Sequence, residues 1–293
     1  MTPSRVLIST ATALLAVFTT AHAQQPDVKK TGILSDLFVE DYALEEDKPV
    51  GVYGQPEWVR NRRFSTTRIH LQRDPWEIGL AQWYRVRTYD EGRVTQRSIT
   101  EFEMGLPYRM QLDVYNKAIF DNSDDQDWQQ DEFAVELRYA FADWGKLPLN
   151  PTLYFEYAFA HEGADVIEPK ILIGDDFGKG WHWGLNLIYE TQVWGEQTPE
   201  WAVAGGISKT IVDNVFSVGI EGKWSNTDGE KSEAILGPSI QWRPTDNTFL
   251  DLVAMAGLTN SSPNAEFWLI FGFDFGKGSK EPKGYKPASA IGN

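Results

Sequence analysis

The chain has 293 residues, a formal net charge of -15, 13% aromatic residues and no cysteine. Without cysteine there is no disulfide scaffold, thiolate zinc site or iron–sulfur cluster, and the acidic balance excludes a general nucleic-acid binder, which needs basic surface. A mean hydropathy of -0.39 excludes long apolar helices but not a β-barrel, whose apolar signal is hidden in alternation.

Residues 1–23 read as a secretory signal. Arg5 supplies the positive start, Val6 to Phe18 the short apolar stretch, and Ala21-His22-Ala23 the small residues before cleavage near Ala23-Gln24. The apolar run is shorter than the roughly 20 residues a helical span needs. Residues 24–74 then form an N-terminal segment outside the repeating pattern. Within it, residues 57–73 carry Arg60, Arg62, Arg63, Arg68 and Arg73 against the single acid Glu57.

From residue 75 to 276 the chain repeats one theme, alternation bounded by turn residues. Strand periodicity is two, so one parity should be apolar and the other polar. Trp76, Ile78, Leu80, Tyr84 and Val86 alternate with Glu77, Ala81, Arg85 and Arg87. Phe133, Val135, Leu137 and Tyr139 alternate with Glu132, Glu136 and Arg138, and Phe267, Leu269, Phe271, Phe273 and Phe275 with Glu266, Trp268 and Asp274. Twelve strands follow, near 75–89, 95–105, 109–120, 131–142, 151–161, 166–177, 181–193, 200–211, 215–225, 232–243, 248–258 and 265–275. The eighth is small and glycine-rich. The tenth holds Gly237-Pro238, where a bulge is expected because proline removes a ladder bond. Residues 277–293 form a Lys/Gly/Pro tail expected to be disordered and periplasmic.

The connections alternate in character. One set of five (at Gly105–Tyr108, Asp143–Asn150, Gly178–Gly180, Val212–Asn214 and Pro244–Asn247) interleaves with six more polar ones. Five turns and six loops are what twelve strands need when both ends lie on one side, and outer-membrane barrels put both termini in the periplasm. The apolar parity also carries aromatics at two levels. Trp76, Phe141, Trp181, Trp242 and Phe275 would form a periplasmic girdle, and Phe133, Phe159, Trp201 and Trp224 an outer one. A soluble sandwich or propeller uses strands of about 5–6 residues. Alternations here run to about 11, the length of a tilted membrane span. The expected fold is therefore an all-β, antiparallel transmembrane barrel of about twelve strands in the bacterial outer membrane.

The opposite parity becomes the lumen. Its acids are Glu77, Glu101, Glu103, Asp113, Glu136, Glu156, Glu190, Glu221 and Asp251, joined by Glu132, Glu168, Glu233, Glu266 and Asp274. Its bases are Arg85, Arg87, Lys117, Arg138, Lys223 and Arg243, joined by Lys170. So many charges of both signs suggest a salt-bridged or watery interior, and the acid excess suggests a path favouring cations. The arginine-rich stretch 57–73 is expected to fold into the acidic periplasmic mouth as a plug, because arginine forks pair well with carboxylates; a solvated linker is the alternative. An outer-rim hydrolase built on His161 and a sealed structural or partner-binding barrel are the competing functions, the protein leaning away from catalysis. His182 is expected to hydrogen-bond a carboxylate. No metal or cofactor is expected.

With its signal peptide, its twelve strands and its aromatic last strand Trp268-Leu269-Ile270-Phe271-Gly272-Phe273-Asp274-Phe275, the chain resembles Gram-negative outer-membrane β-barrels. It is loosely similar to the outer-membrane transporters of the phenol meta-pathway type. The resemblance implies a channel or uptake protein for small solutes, with outer-membrane lipid, lipopolysaccharide and a small-molecule solute as partners, no nucleic acid, and an oligomeric state left open. Many such barrels end on an aromatic that the assembly machinery recognises. Here that signal would lie internally, at Phe271, Phe273 or Phe275.

Overall fold

The computed structural model describes residues 44–123, 127–195 and 197–275. The expected signal, residues 24–43 and the tail 277–293 lie outside them. The twelve strands are β1 (Ile78–Thr88), β2 (Val94–Leu106), β3 (Met110–Asp121), β4 (Gln129–Ala140), β5 (Thr152–Ala160), β6 (Val166–Gly178), β7 (Trp181–Gln192), β8 (Glu200–Val212), β9 (Phe216–Thr227), β10 (Glu233–Thr245), β11 (Thr248–Gly257) and β12 (Ala265–Phe275). Each pairs antiparallel with its neighbours in sequence, and β1 pairs with β12 to close the barrel. Closure removes the edges an open sheet would leave unpaired.

Alternation fixes register, because a slip of one residue would turn every apolar side chain inward. Leu80, Leu137, Phe155, Leu187, Ile220, Leu236, Leu252 and Leu269 face outward and stay exposed, whereas Glu101, Asp113, Glu136, Arg138 and Asp251 on the other parity are buried. This inverts the pattern of a soluble protein, and ring closure gives every strand a partner on both sides, as a hydrocarbon layer requires.

Two local expectations are corrected. The first strand begins at Ile78 because Trp76 takes φ 71° and donates its N–H to Gly105 O at 2.8 Å, in a turn before the strand. At Gly237-Pro238 there is no bulge: Leu236 still faces Ala256 and Ser239 still faces Val253. Gly237 absorbs the crowding, since a Cβ there would collide with the Ala254 carbonyl. The register shift lies instead between Trp242 and Thr245. The glycine-rich eighth strand pairs along nearly its whole length with β7 and β9.

Twelve strands enclose more space than eight, whose interior side chains alone can fill, and less than the open channels of sixteen or more. Something besides strand side chains must occupy this lumen or leave it wet.

Candidate functional site in the lumen

Before β1 the chain forms a turn of 3-10 helix (Glu45–Asp47) and a one-turn helix α1 (Glu57–Arg60), then an irregular stretch to Asp74. The apolar residues of this stretch are as buried as a protein core. Trp58 and Leu71 have 0% exposure and Val59 and Phe64 1%. Trp58, Val59, Phe64 and Ile69 form one cluster, against which Trp144 packs. Trp58 also stacks on His182, 4.3 Å between centroids.

All five arginines find carboxylates. Arg60 Nη2 lies 2.5 Å from Glu77, Arg62 Nη1 2.6 Å from Glu101, and Arg63 Nη2 2.6 Å from Glu46. Arg68 Nη2 reaches Glu101 at 2.5 Å, and Arg73 bridges Glu103 and Asp274, the latter at 2.6 Å. Arg62 also lies over the face of Trp83, 3.9 Å from its centroid, while Trp83 Nε1 donates to Glu101 at 2.8 Å. On the barrel wall Arg138 pairs with both Asp113 and Glu136. A buried carboxylate without a partner would cost several kcal/mol, on the order of the whole protein's stability margin. The lumen acids near the chain-end edge and the segment's arginines therefore require one another.

Backbone hydrogen bonds hold the segment in register. Glu221 accepts from the N–H groups of Ser65 and Thr66 and from the Thr66 hydroxyl. Asn186 accepts from Arg68 N–H at 2.8 Å and donates to Arg68 O at 2.7 Å. Gln111 accepts from the N–H groups of Gln72 and Arg73, and Gln241 donates to Asn61 O and Arg62 O. Non-repetitive backbone inside a barrel must be satisfied by the wall, and these amides and carboxylates do so from β3, β7, β9 and β10.

The segment enters and leaves by one end. Arg60 and Arg73 bind near the edge carrying both ends of the barrel, whereas residues 65–68 form the apex. Their partners Glu101, Tyr115, Asn186 and Glu221 each lie five residues in from that edge, set by Leu106, Met110, Trp181 and Phe216. With strands of about a dozen residues, the segment reaches the middle of the barrel. Beyond it is a cavity of about 330 Å³ floored by Ser65, Thr66 and Arg68. The lumen thus has a filled half and an open half.

His182 is fully buried, and its Nε2 lies 2.8 Å from Asp47, the carboxylate contact expected of it. Burial raises the Asp47 carboxyl above its ordinary range. His70 is buried beside the Ala142 carbonyl, and desolvation lowers its pKa to about 4, so it stays neutral near pH 7. Among the described residues two groups bring metal-type ligands together, Glu46/Asp47/His182 and Glu101/Glu103/Asp113. In both, arginine already neutralises carboxylates (Arg63 in the first; Arg62, Arg68, Arg73 and Arg138 in the second).

The sequence-selected wall residues divide between the halves. Glu77, Glu101, Glu103, Asp113, Glu136, Arg138, Glu221, Arg243 and Asp251 lie in the filled half, where Arg243 pairs with Asp274 at 2.8 Å. Arg85, Arg87, Lys117, Glu156, Glu190 and Lys223 line the open cavity. All nine aromatics expected in the girdles are exposed. His161 is exposed in the loop after β5.

Sequence reading missed Glu46, Asp47, Trp58, Phe64 and Ile69 as interior residues and Asn186, Gln111 and Gln241 as docking groups. One signal was present. Gly184 and Gly206 are glycines on the lumen parity, and a Cβ at either would press on Ile69 or Phe64, respectively. Glycines at positions that face inward mark where another part of the chain comes close.

A family model described as "Putative MetA-pathway of phenol degradation" matches residues 161–268. The COG4313 outer membrane channel from Pseudomonas putida F1 superposes with a TM-score of 0.54 at 10% identity, covering 72% of this chain and 100% of that one. Its likeness concerns the fold. The chain is an outer-membrane-type β-barrel. The NanC porin is similar with a TM-score of 0.49 and 12% identity, covering 67% of this chain and 97% of that one. The translocator domain of the autotransporter NalP from Neisseria meningitidis has a TM-score of 0.45 and 8% identity, with 69% and 88% covered. No curated protein matches the chain.

Proposed function

We propose that the protein is an outer-membrane channel for uptake of small solutes, occluded on the periplasmic side by residues 57–73. The observation that carries the reading is the docking of this segment by charged pairs and backbone hydrogen bonds across the filled half of the lumen. The half beyond it stays open to solutes of modest size. The channel fold of the Pseudomonas neighbour and the degradation family matched by the chain's second half support a solute-uptake role. In this reading a Sec-type signal is cleaved near Ala23-Gln24 and the exposed aromatics contact lipid and lipopolysaccharide. The wall acids act first as anchors for the plug and only secondarily as pathway charges.

The segment must move or yield for solute to pass. Its packed aromatic core and paired charges make displacement costly, so the resting channel should conduct weakly. Planar-bilayer recording of the full chain against a variant lacking 57–73 tests this. The variant should show larger single-channel steps; equal conductance would remove the plug.

A further inference from the structure

The open chamber has a charge arrangement that the lumen as a whole does not predict. Its lining contains seven bases and five acids, so the acid excess of the lumen is not present here. Most of these charges are paired. Lys117 sits between Glu132 and Glu156 at 2.5 and 2.7 Å, and Lys170 lies 2.6 Å from Glu168. Lys223 lies 3.0 Å from Glu200, Arg97 2.7 Å from Asp131, and Arg87 binds Glu266. Arg68, on the floor, is held by Glu101.

Two charges stand apart. Among the described residues Arg85 has no carboxylate within ion-pair distance; Glu266, bound to Arg87, acts on it from further off. Its guanidinium lies beside Trp268, 5.3 Å from the ring centroid, with the cations of Arg87 and Arg97 on the same wall. Glu190 has no basic partner within ion-pair distance among the described residues. It shares its wall with Glu168 and Glu200 on the adjacent β6 and β8, while Lys170 and Lys223, engaged by those two carboxylates, act on it from further off. Arg85 is on β1 and Glu190 on β7, six strands apart in a closed ring of twelve, so they occupy opposite walls of one chamber. Half-buried charges of opposite sign, each left open toward a cavity, set up a transverse field. The apolar barrel wall focuses that field across the cavity, where it orients a dipolar guest.

The geometry points to a binding site for a small zwitterionic solute, its carboxylate on Arg85 and its ammonium on Glu190. The arginine fork suits a carboxylate, and a carboxylate accepts well from an ammonium. Trp83 and Trp268, which meet edge to face at 5.8 Å, provide an apolar wall beside Arg85 for the solute's carbon body. This deepens the channel reading by naming a solute class, and it rests on that reading for its physiological sense.

The test is calorimetric titration of the full chain in detergent with ω-amino carboxylates of graded length, and with the monocarboxylate and alkylammonium of each length. One zwitterion length should bind at least about tenfold more tightly than either singly charged analogue. Arg85→Gln and Glu190→Gln should each abolish that preference. The exchanged pair Arg85→Glu with Glu190→Arg should restore it, which separates recognition from loss of fold. A monocarboxylate that binds as well as the zwitterion, single variants that leave affinity unchanged, or no binding by any probe would overturn the site. Binding is read without conduction. A wild-type chain that shows the preference but never conducts loses the channel reading and keeps the site, whereas conduction without the preference does the reverse.

Discussion

One lumen holds two unlike halves. In the half nearest the barrel's two ends, most charges are buried, and Glu77, Glu101, Glu103, Glu221 and Asp274 each touch a segment that belongs to no strand. In the other half, charges of the same chemical kinds line a cavity and pair with one another along the barrel wall, as Lys117 on β3 does with Glu132 on β4 and Glu156 on β5. The comparison teaches that an inward charge has no role fixed by its parity. Its role depends on whether another part of the chain arrives to share it.

The largest effect that separates the halves should come from Glu101→Ala. It removes the acceptor shared by Arg62, Arg68 and Trp83. Breaking such a buried pair costs about 3–5 kcal/mol. Trypsin should then cut at Arg62, Arg63 or Arg68 in the intact barrel, and conductance should rise. In the open half, Lys117→Ala should leave trypsin resistance at wild-type level. Equal protease sensitivity in the two variants would erase the distinction between halves.

Acid should act on the filled half next. The His70 pKa is depressed to about 4 in the folded chain from an ordinary 6.5. The unfolded state therefore binds more protons between these values. The stabilisation is fully present above pH 6.5 and is lost as pH falls through that window toward 4. The pH dependence of the wild-type unfolding midpoint, less that of His70→Gln, should fall across this range. A flat difference would show that His70 titrates normally.

Asn186→Ala should be milder. It deletes two hydrogen bonds to the Arg68 backbone at the apex, about 1–3 kcal/mol. Brief openings in single-channel traces should become more frequent while the thermal midpoint of the barrel barely moves. The smallest effect belongs to the outer surface: Trp201→Ala removes one exposed ring. It should lower the unfolding midpoint in liposomes slightly and leave the open-channel conductance unchanged.

The twelve strands were legible because alternation is a local property, and a lipid-facing surface demands it. β12 could be read residue by residue, Phe267 to Phe275 out and Glu266 to Asp274 in. The start of the first strand was less so, because Trp76 is apolar and falls on the right parity yet sits in a turn. Arg60, Arg62, Arg63, Arg68 and Arg73 stood out as a cluster that acids could hold. Which acids could not be known from the sequence. Glu46, only fourteen residues before Arg60 in the acidic stretch, became the partner of Arg63, while Asp274, some two hundred residues away, became that of Arg73.

What the sequence determined alone is the period, the parity and the number of spans. These follow from the two-residue repeat of a strand and from lipid's intolerance of unpaired backbone. What the tertiary structure decided is how far residues 57–73 reach into the ring and which charges remain unpaired. Closure brings β1 and β7 onto facing walls and sets Gly184 and Gly206 against Ile69 and Phe64. A charge's partner is fixed by distance in space, and only the closed ring sets that distance.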